Sequence, residues 1–240
     1  MNKYYIFITI SVLFFLCTPS LYSAGIHPIK YIKINSTTGT VLDEIEISKT
    51  NNKPLPDFDK QKNVQLDLIN VSPEKSEWNL LSLNKEVIYK IIITPQKIYF
   101  KKNNTEWRVN VSSDFISQLF FYKNKVFFIG LDYSNSISDL YCVDILKKEI
   151  TWKVSGQFYI YQYILFIENN VIVADGNLGV YHCRENEINV HAYNINSGQE
   201  KWKRNIKLEK SKNTYSDGVI GKLYKKEINL FLVISTFLLE

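Results

Sequence analysis

His191 to Asn205 reads HAYNINSGQEKWKRN. Ala192, Asn194, Ser197, Gly198 and Trp202 stand at set offsets in it: a small residue, an amide, a Ser-Gly turn and an indole. The stretch is either one surface hairpin or one copy of a repeating unit, and the fold depends on which. Cys142 to Trp152, CVDILKKEITW, places a small residue, Asp144 and Trp152 in the same register. Lys33 to Asp43, KINSTTGTVLD, has Asn35 and Gly39 in place, with Asp43 where the Trp would stand. KIYFKKNNTEW fits only at its Trp107 end, which implies a shortened turn.

A second element repeats with the first. SLNKEV, FYKNKV, FIENNV and LYKKEI end at Val87, Val126, Val171 and Ile228. In each, an apolar run meets a polar turn of Lys, Asn or Glu and an apolar run resumes, the pattern of a tight hairpin. The four sites are 39, 45 and 57 residues apart, and Trp107, Trp152 and Trp202 are 45 and 50 apart. Between them lie short runs rich in Ile, Val, Tyr and Phe, such as EVIYKIIIT, KVFFIGLD, NVIVADG and INLFLVIST. No long stretch carries the spacing of an amphipathic helix, so the class is all-β. A period near 40–50 residues holding four strands is the signature of a β-propeller blade. One blade has two apolar faces and buries them only by stacking on neighbours.

Complete units are expected over Glu77–Val111, Gln118–Ser155 and Tyr161–Ile206. Tyr31–Ile47 has the look of a second half-blade and Gly218–Glu240 of a first half. The halves are complementary, which predicts about four antiparallel blades, as a closed composite ring or as an arc of a larger propeller. Ser48–Asn63 reads as a loop. The run Ile228–Leu239 is an aggregation hazard if left unpaired, and an arc implies oligomerisation. An incomplete gene product is a further reading.

The remaining bulk features bound the setting. The 240 residues are 45% hydrophobic and 14% aromatic, enough for one large domain or two small ones. Lys3 followed by an apolar run from Tyr4 to Cys17, then Pro19 and the small residues Ser23, Ala24 and Gly25, is the layout of a secretory signal peptide. That run is short for a membrane span, which needs about 20 residues; an uncleaved anchor is the alternative. Leu16 before Cys17 argues against a lipid anchor. The expected division is a signal over residues 1–24 and a propeller domain over 25–240, secreted or periplasmic and not membrane-spanning after cleavage. Cleavage removes one lysine and no acid, taking the formal charge of +5 to +4. The densest basic run, Lys207–Asn213, is broken by Glu209 and reads as a solvated face, so no nucleic-acid partner is expected. Cys142 and Cys183 remain in a compartment that permits a disulfide; they pair, or Cys142 is a buried strand thiol and Cys183 a loop thiol.

With the repeats in register, the chain resembles the pyrroloquinoline-quinone-type (PQQ-like) propeller repeats, whose docking pattern runs Ala, any, Asp/Asn, two of any, Thr, Gly, three of any, Trp. Ala192, Asn194, Gly198 and Trp202 match it, with Ser197 for Thr. Cys142, Asp144 and Trp152 match a second copy, with Lys147 and Lys148 at the Thr and Gly positions. Asn35, Thr38 and Gly39 match a third. The residue types suit a scaffold. Gly198 permits a positive φ, Asn194 or Asp144 can bond the turn's backbone, and the Trp buries a ring whose N–H needs a partner. Enzymes of the resembled family bind the quinone and calcium; they are longer, about eight blades, and often carry a vicinal disulfide. This chain has no Cys-Cys pair. Other members are non-enzymatic, including a propeller lipoprotein of outer-membrane assembly, and the short chain here is closer to those.

No HExxH, GxSxG, GxGxxG, GxxxxGK[ST] or CxxC occurs. His27 is expected in a flexible terminus, His191 packed on a strand, and His182 with Cys183 in a connecting loop. Asp132, Asp175 and Asp217 either cap strand turns or gather as a cation site. Asn35, Asn70, Asn103 and Asn110 open glycosylation acceptor patterns that matter only in a glycosylating host. No catalytic residue, metal or cofactor is assigned. The expected role is a secreted or periplasmic scaffold that binds another protein, in outer-membrane or envelope assembly. The alternatives are a degenerate quinoprotein dehydrogenase and a carbohydrate-binding or adhesin module.

Overall fold

The computed structural model describes residues 26–46, 66–72, 75–82, 84–132, 134–135, 137–156, 158, 164–175, 187–207, 219–226 and 229–237. The expected signal over residues 1–24, the whole Ser48–Asn63 loop and most of the Lys207–Asn213 run lie outside them. Among the described residues there are eighteen strands and no helix. In chain order the first two are β1 (Ile26–Asn35) and β2 (Val41–Glu46). A first sheet follows: β3 (Leu66–Ser72), β4 (Lys75–Leu81), β5 (Val87–Thr94), β6 (Lys97–Lys102) and β7 (Thr105–Asn110). A second sheet contains β8 (Phe115–Ile116), β9 (Phe120–Tyr122), β10 (Lys125–Asp132), β11 (Ile137–Asp144) and β12 (Glu149–Gly156). A third contains β13 (Leu165–Ile167), β14 (Asn170–Asp175), β15 (Glu187–Asn194) and β16 (Glu200–Lys207). The chain ends with β17 (Val219–Lys226) and β18 (Asn229–Phe237). These are the antiparallel blades of a β-propeller.

The two chain ends build one sheet, in the order β17-β18-β1-β2. β1 runs antiparallel to β18 from Ile26 opposite Phe237 to Asn35 opposite Asn229. The half-blades therefore complete each other, and the C-terminal apolar strand is paired on both sides. His27, expected in a flexible terminus, is in β1 opposite Thr236.

The first sheet departs from expectation: it begins at Leu66, not Glu77, and has five strands. A register shift between Leu68 and Asn70 explains why β3 was hidden. The bulge breaks the period of two, and Ile69 is left half exposed. In the second sheet the innermost strand is split into β8 and β9, both paired with β10.

Stacking buries apolar faces at three junctions. Leu80, Ile91, Ile98 and Phe100 of the first sheet meet Val126, Phe128 and Val143 of the second. Phe127, Ile129 and Leu140 on the second sheet's other face meet Val171, Val173 and Tyr193 of the third. Ile172, Val190, Ala192 and Ile206 meet Ile32, Ile34 and Leu230 of the composite sheet. The face of the first sheet turned away from the second carries Glu77, Lys90, Lys101 and Glu106. Glu77 is ion-paired to Lys75 and, at 2.6 Å, to Lys90. Hydrogen bonds from these two lysines hold its carboxyl down at about 2. Lys101 lies 2.7 Å from Glu106. The same face also carries the buried Ile92, opposite Glu77, and Tyr99, so it is part charged and part apolar. Among the described residues, no apolar cluster joins this face to the composite sheet.

Candidate functional site

Three turns at one end of the blades share one construction. Asn35 Oδ1 accepts from the N–H groups of Thr37 (2.9 Å) and Thr38 (3.0 Å). Asp144 Oδ1 accepts from Leu146 and Lys147, both at 3.0 Å. Asn194 Oδ1 accepts from Asn196 (2.9 Å) and Ser197 (3.1 Å). A short polar side chain bonding its own turn two and three residues on is an Asx turn. Gly39, Lys148 and Gly198 then donate to the carbonyls of Asn35, Asp144 and Asn194, each at 2.9 Å. All three have positive φ, at 70°, 61° and 68°. A bulge stands at the same place in each copy, after Lys33, Cys142 and Ala192.

Two indoles lie on the turn of the following blade. Trp152 donates its Nε1–H to the Ile195 carbonyl at 2.9 Å. A Cβ on Gly198 would stand 2.7 Å from Trp152 Cδ2, inside any real contact. Trp202 donates to the Ser36 carbonyl at 3.1 Å, and a Cβ on Gly39 would lie 2.6 Å from its Cε3. Arg204 Nε adds a 2.7 Å bond to the Gly39 carbonyl. The glycines therefore serve twice: they take the left-handed conformation and they leave the ring its place. The small residue opposite each indole, Cys142 or Ala192, is fully buried.

The first junction has the same parts in altered form. Phe100, not a small residue, stands opposite Trp107, and the two rings stack at 4.1 Å with planes 5° apart. Lys148 takes the glycine position on the next blade's turn, so a Cβ lies where the other turns have none. Trp107 Nε1 is buried and has no hydrogen-bond partner. A groove of about 560 Å³ opens at this junction between the Ser82–Glu86 hairpin and the Asp144 turn. The composite-to-first boundary lacks both halves of a dock. Asp43 replaces the Trp, and the first sheet turns through Asn103 and Asn104 alone, the shortened turn expected there.

The other singled-out side chains are held by local structure. Asp132 accepts from the N–H groups of Ser134 (2.9 Å) and Asn135 (3.2 Å) and from the Asn135 side chain, which lowers its pKa. It caps a turn. His191 is buried, with Nδ1 2.6 Å from Glu200 Oε1 and 3.1 Å from the Tyr193 hydroxyl. Cys142 is a buried free thiol, and burial pushes it up to about 11, against a bond from Thr151. Asp175 ends β14. His182, Cys183 and Asp217 lie outside the described residues. Among the described residues no three His, Cys, Asp or Glu side chains gather as a metal site, and no helix is long and apolar enough to cross a membrane. Asn103 has positive φ in its two-residue turn, and Asn110 is exposed at the end of β7.

Sequence reasoning missed a buried ion pair beside the second turn, Lys125 Nζ to Asp144 Oδ2 at 2.9 Å. It also missed a polar cluster in which Lys153 (2.7 Å) and the Tyr141 hydroxyl (3.3 Å) donate to Asp139 Oδ2. Lys125 hides in the polar turn of FYKNKV, where a lysine reads as surface.

No family model and no curated protein matches the chain. Among solved structures, it is similar to a europium-containing methanol dehydrogenase at 16% identity and TM-score 0.39, over 60% of this chain and 28% of that one. It is similar to BamB from Moraxella catarrhalis at 12% identity and TM-score 0.45, over 87% and 61%. Apo AztD from Citrobacter koseri shares 14% identity at TM-score 0.38, over 72% and 44%. The chain spans less than two thirds of each of these proteins. The propeller assignment stands on the chain's own sheets and junctions.

Proposed function

We propose that this chain is a non-enzymatic propeller scaffold of the secreted or periplasmic space that binds another protein through the loop end of its blades. The observation that carries the reading is the pair of docked turns. Trp152 and Trp202 each anchor one blade's turn to the outer strand of the blade before it, and rigid loops on a stacked scaffold suit recognition without chemistry. Of the residues that sequence alone offered as chemical groups, Asp132 closes a turn, as does the docking residue Asp144, and His191 meets Glu200 and Tyr193. The N-terminal layout from Lys3 to Gly25 supports export, and the resemblance of the repeats supports a role in outer-membrane or envelope assembly.

The test has two arms. Cross-linking of the tagged full chain in its own host, followed by mass spectrometry, is expected to return a discrete partner and an exported product. Titration with pyrroloquinoline quinone and calcium, read by fluorescence and by dye-linked alcohol oxidation, is expected to show no saturable binding. Stoichiometric quinone binding would replace the scaffold reading with the dehydrogenase one. Saturable glycan binding without a protein partner would favour the carbohydrate-binding alternative.

A further inference from the structure

The groove at the first junction differs from its counterparts in a way that defines a ligand. Its floor is apolar and comes from both blades: Leu81, Ile88 and Tyr89 from the first, Phe121 and Ile145 from the second. Its lip is Leu146, which is 70% exposed. At the same turn position the other copies carry Thr37 and Asn196, polar residues suited to water. An isolated exposed leucine is ordinary, but a leucine at the mouth of an apolar groove enlarges a surface that water solvates poorly. The junction is also left without a docked indole, because Trp107 stacks on Phe100 and its N–H makes no bond to the turn.

Cations outnumber acids around the groove: Lys102 stands with Glu86 in its lining, and Lys147 and Lys148 with Glu149 on the exposed turn. Lys102 lines it, with Nζ 5.5 Å above the Tyr89 ring. Lys147 and Lys148 stand exposed on the same turn as Leu146. None of these three cations has a carboxylate partner among the described residues. Glu86 is the single acid in the lining, beside the neutral Ser82, Asn84 and Asn124. An apolar floor inside a net cationic rim is complementary to an apolar anchor inside an acidic segment.

We propose that this groove binds an acidic, extended segment of a partner protein through one aromatic or large aliphatic anchor residue. The inference rests on the protein-binding reading above and assigns its contact surface. The anchor enters between Tyr89 and Ile145 and covers Leu146, while flanking carboxylates meet Lys102, Lys147 and Lys148.

The test is fluorescence anisotropy with the full chain and a fluorescein-labelled peptide, Gly-Asp-Glu-Trp-Leu-Asp-Glu-Gly. Two control peptides replace Trp-Leu by Ala-Ala or all four acids by Lys. Saturable binding is expected for the first peptide, at least tenfold weaker for each control, and weakening as salt rises. Leu146→Asp and Lys102→Glu, both on the surface, are each expected to weaken it at least tenfold while leaving the thermal midpoint within about 2 °C, the shift that a near-neutral surface change produces. No binding of the first peptide, equal binding of all three, or undiminished binding by both variants would overturn the inference. Cross-linking in the host separates it from the reading beneath. A partner retained by the Leu146→Asp/Lys102→Glu double variant removes the groove assignment alone. No partner for either protein removes the scaffold reading as well.

Discussion

Gly198→Ala isolates the docking geometry in a single methyl group. Gly198 has φ of 68°, and its added Cβ would stand 2.7, 2.8 and 3.0 Å from three atoms of the Trp152 ring. A left-handed conformation costs an L-residue about 1–2 kcal/mol. Forcing a methyl into a packed contact adds about 1–3 kcal/mol, since the ring must move from a bond to the Ile195 carbonyl. The expected loss is therefore about 2–5 kcal/mol, large beside the 5–15 kcal/mol stability of an ordinary domain. Lys148→Gly supplies the internal control. Lys148 has φ of 61° at the same turn position with no indole bonded to its turn. Glycine there relieves strain and is expected to be neutral or to stabilise by up to about 1 kcal/mol. Urea unfolding followed by tryptophan fluorescence reads both changes. Gly198→Ala is expected to lower the midpoint and Lys148→Gly is not. A Gly198→Ala midpoint equal to that of the parent would refute the reasoning, because neither the strain nor the contact would then exist.

Two further substitutions separate the tryptophans and the ion pair. Trp152→Phe removes the donor to Ile195 and leaves a void, for an expected loss of about 2–4 kcal/mol. Trp107→Phe deletes an N–H that has no partner and is expected to cost under about 1 kcal/mol by the same urea assay. Lys125→Met breaks the pair with Asp144 at an expected cost of about 1–3 kcal/mol near neutral pH. Burial opposes ionisation of Asp144, but the Lys125 bond and the two turn N–H groups outweigh it and lower its pKa. A carboxyl lowered on folding contributes fully above its unfolded value of about 3.9, and that contribution is lost as pH falls through the folded value. Stability curves of parent and variant should therefore differ near pH 7 and converge below about pH 4; a gap constant with pH would contradict the assignment.

How much of this was readable in advance depended on whether a feature was local. The register of Ala192 with Cys142, and of Trp202 with Trp152, marked equivalent bulges and turns, because turn chemistry is written in a few adjacent residues. The missing dock at the composite boundary was also legible, as Asp43 in place of Trp and a short Asn103–Asn104 turn. The consequence of Phe100 and Lys148 for Trp107 was not, since it arises only where two blades meet. β3 was missed because its bulge disrupts the alternation that identifies a strand. The charges on the outer face of the first sheet needed the pairing of Glu77 with Lys90 across two strands, which no linear spacing shows.

The central claim is that the two chain ends share one sheet. Backbone register places Lys33 opposite Phe231. Directly opposed residues have Cβ atoms about 4.5–5.5 Å apart, within reach of a disulfide. With Cys17, Cys142 and Cys183 replaced by serine, Lys33→Cys with Phe231→Cys should form an intramolecular cross-link on mild oxidation, seen as a mobility shift on non-reducing gels. Lys33→Cys with Leu230→Cys, one residue out of register and on opposite faces, should not. Failure of the first pair, or equal cross-linking of both, would contradict the composite blade.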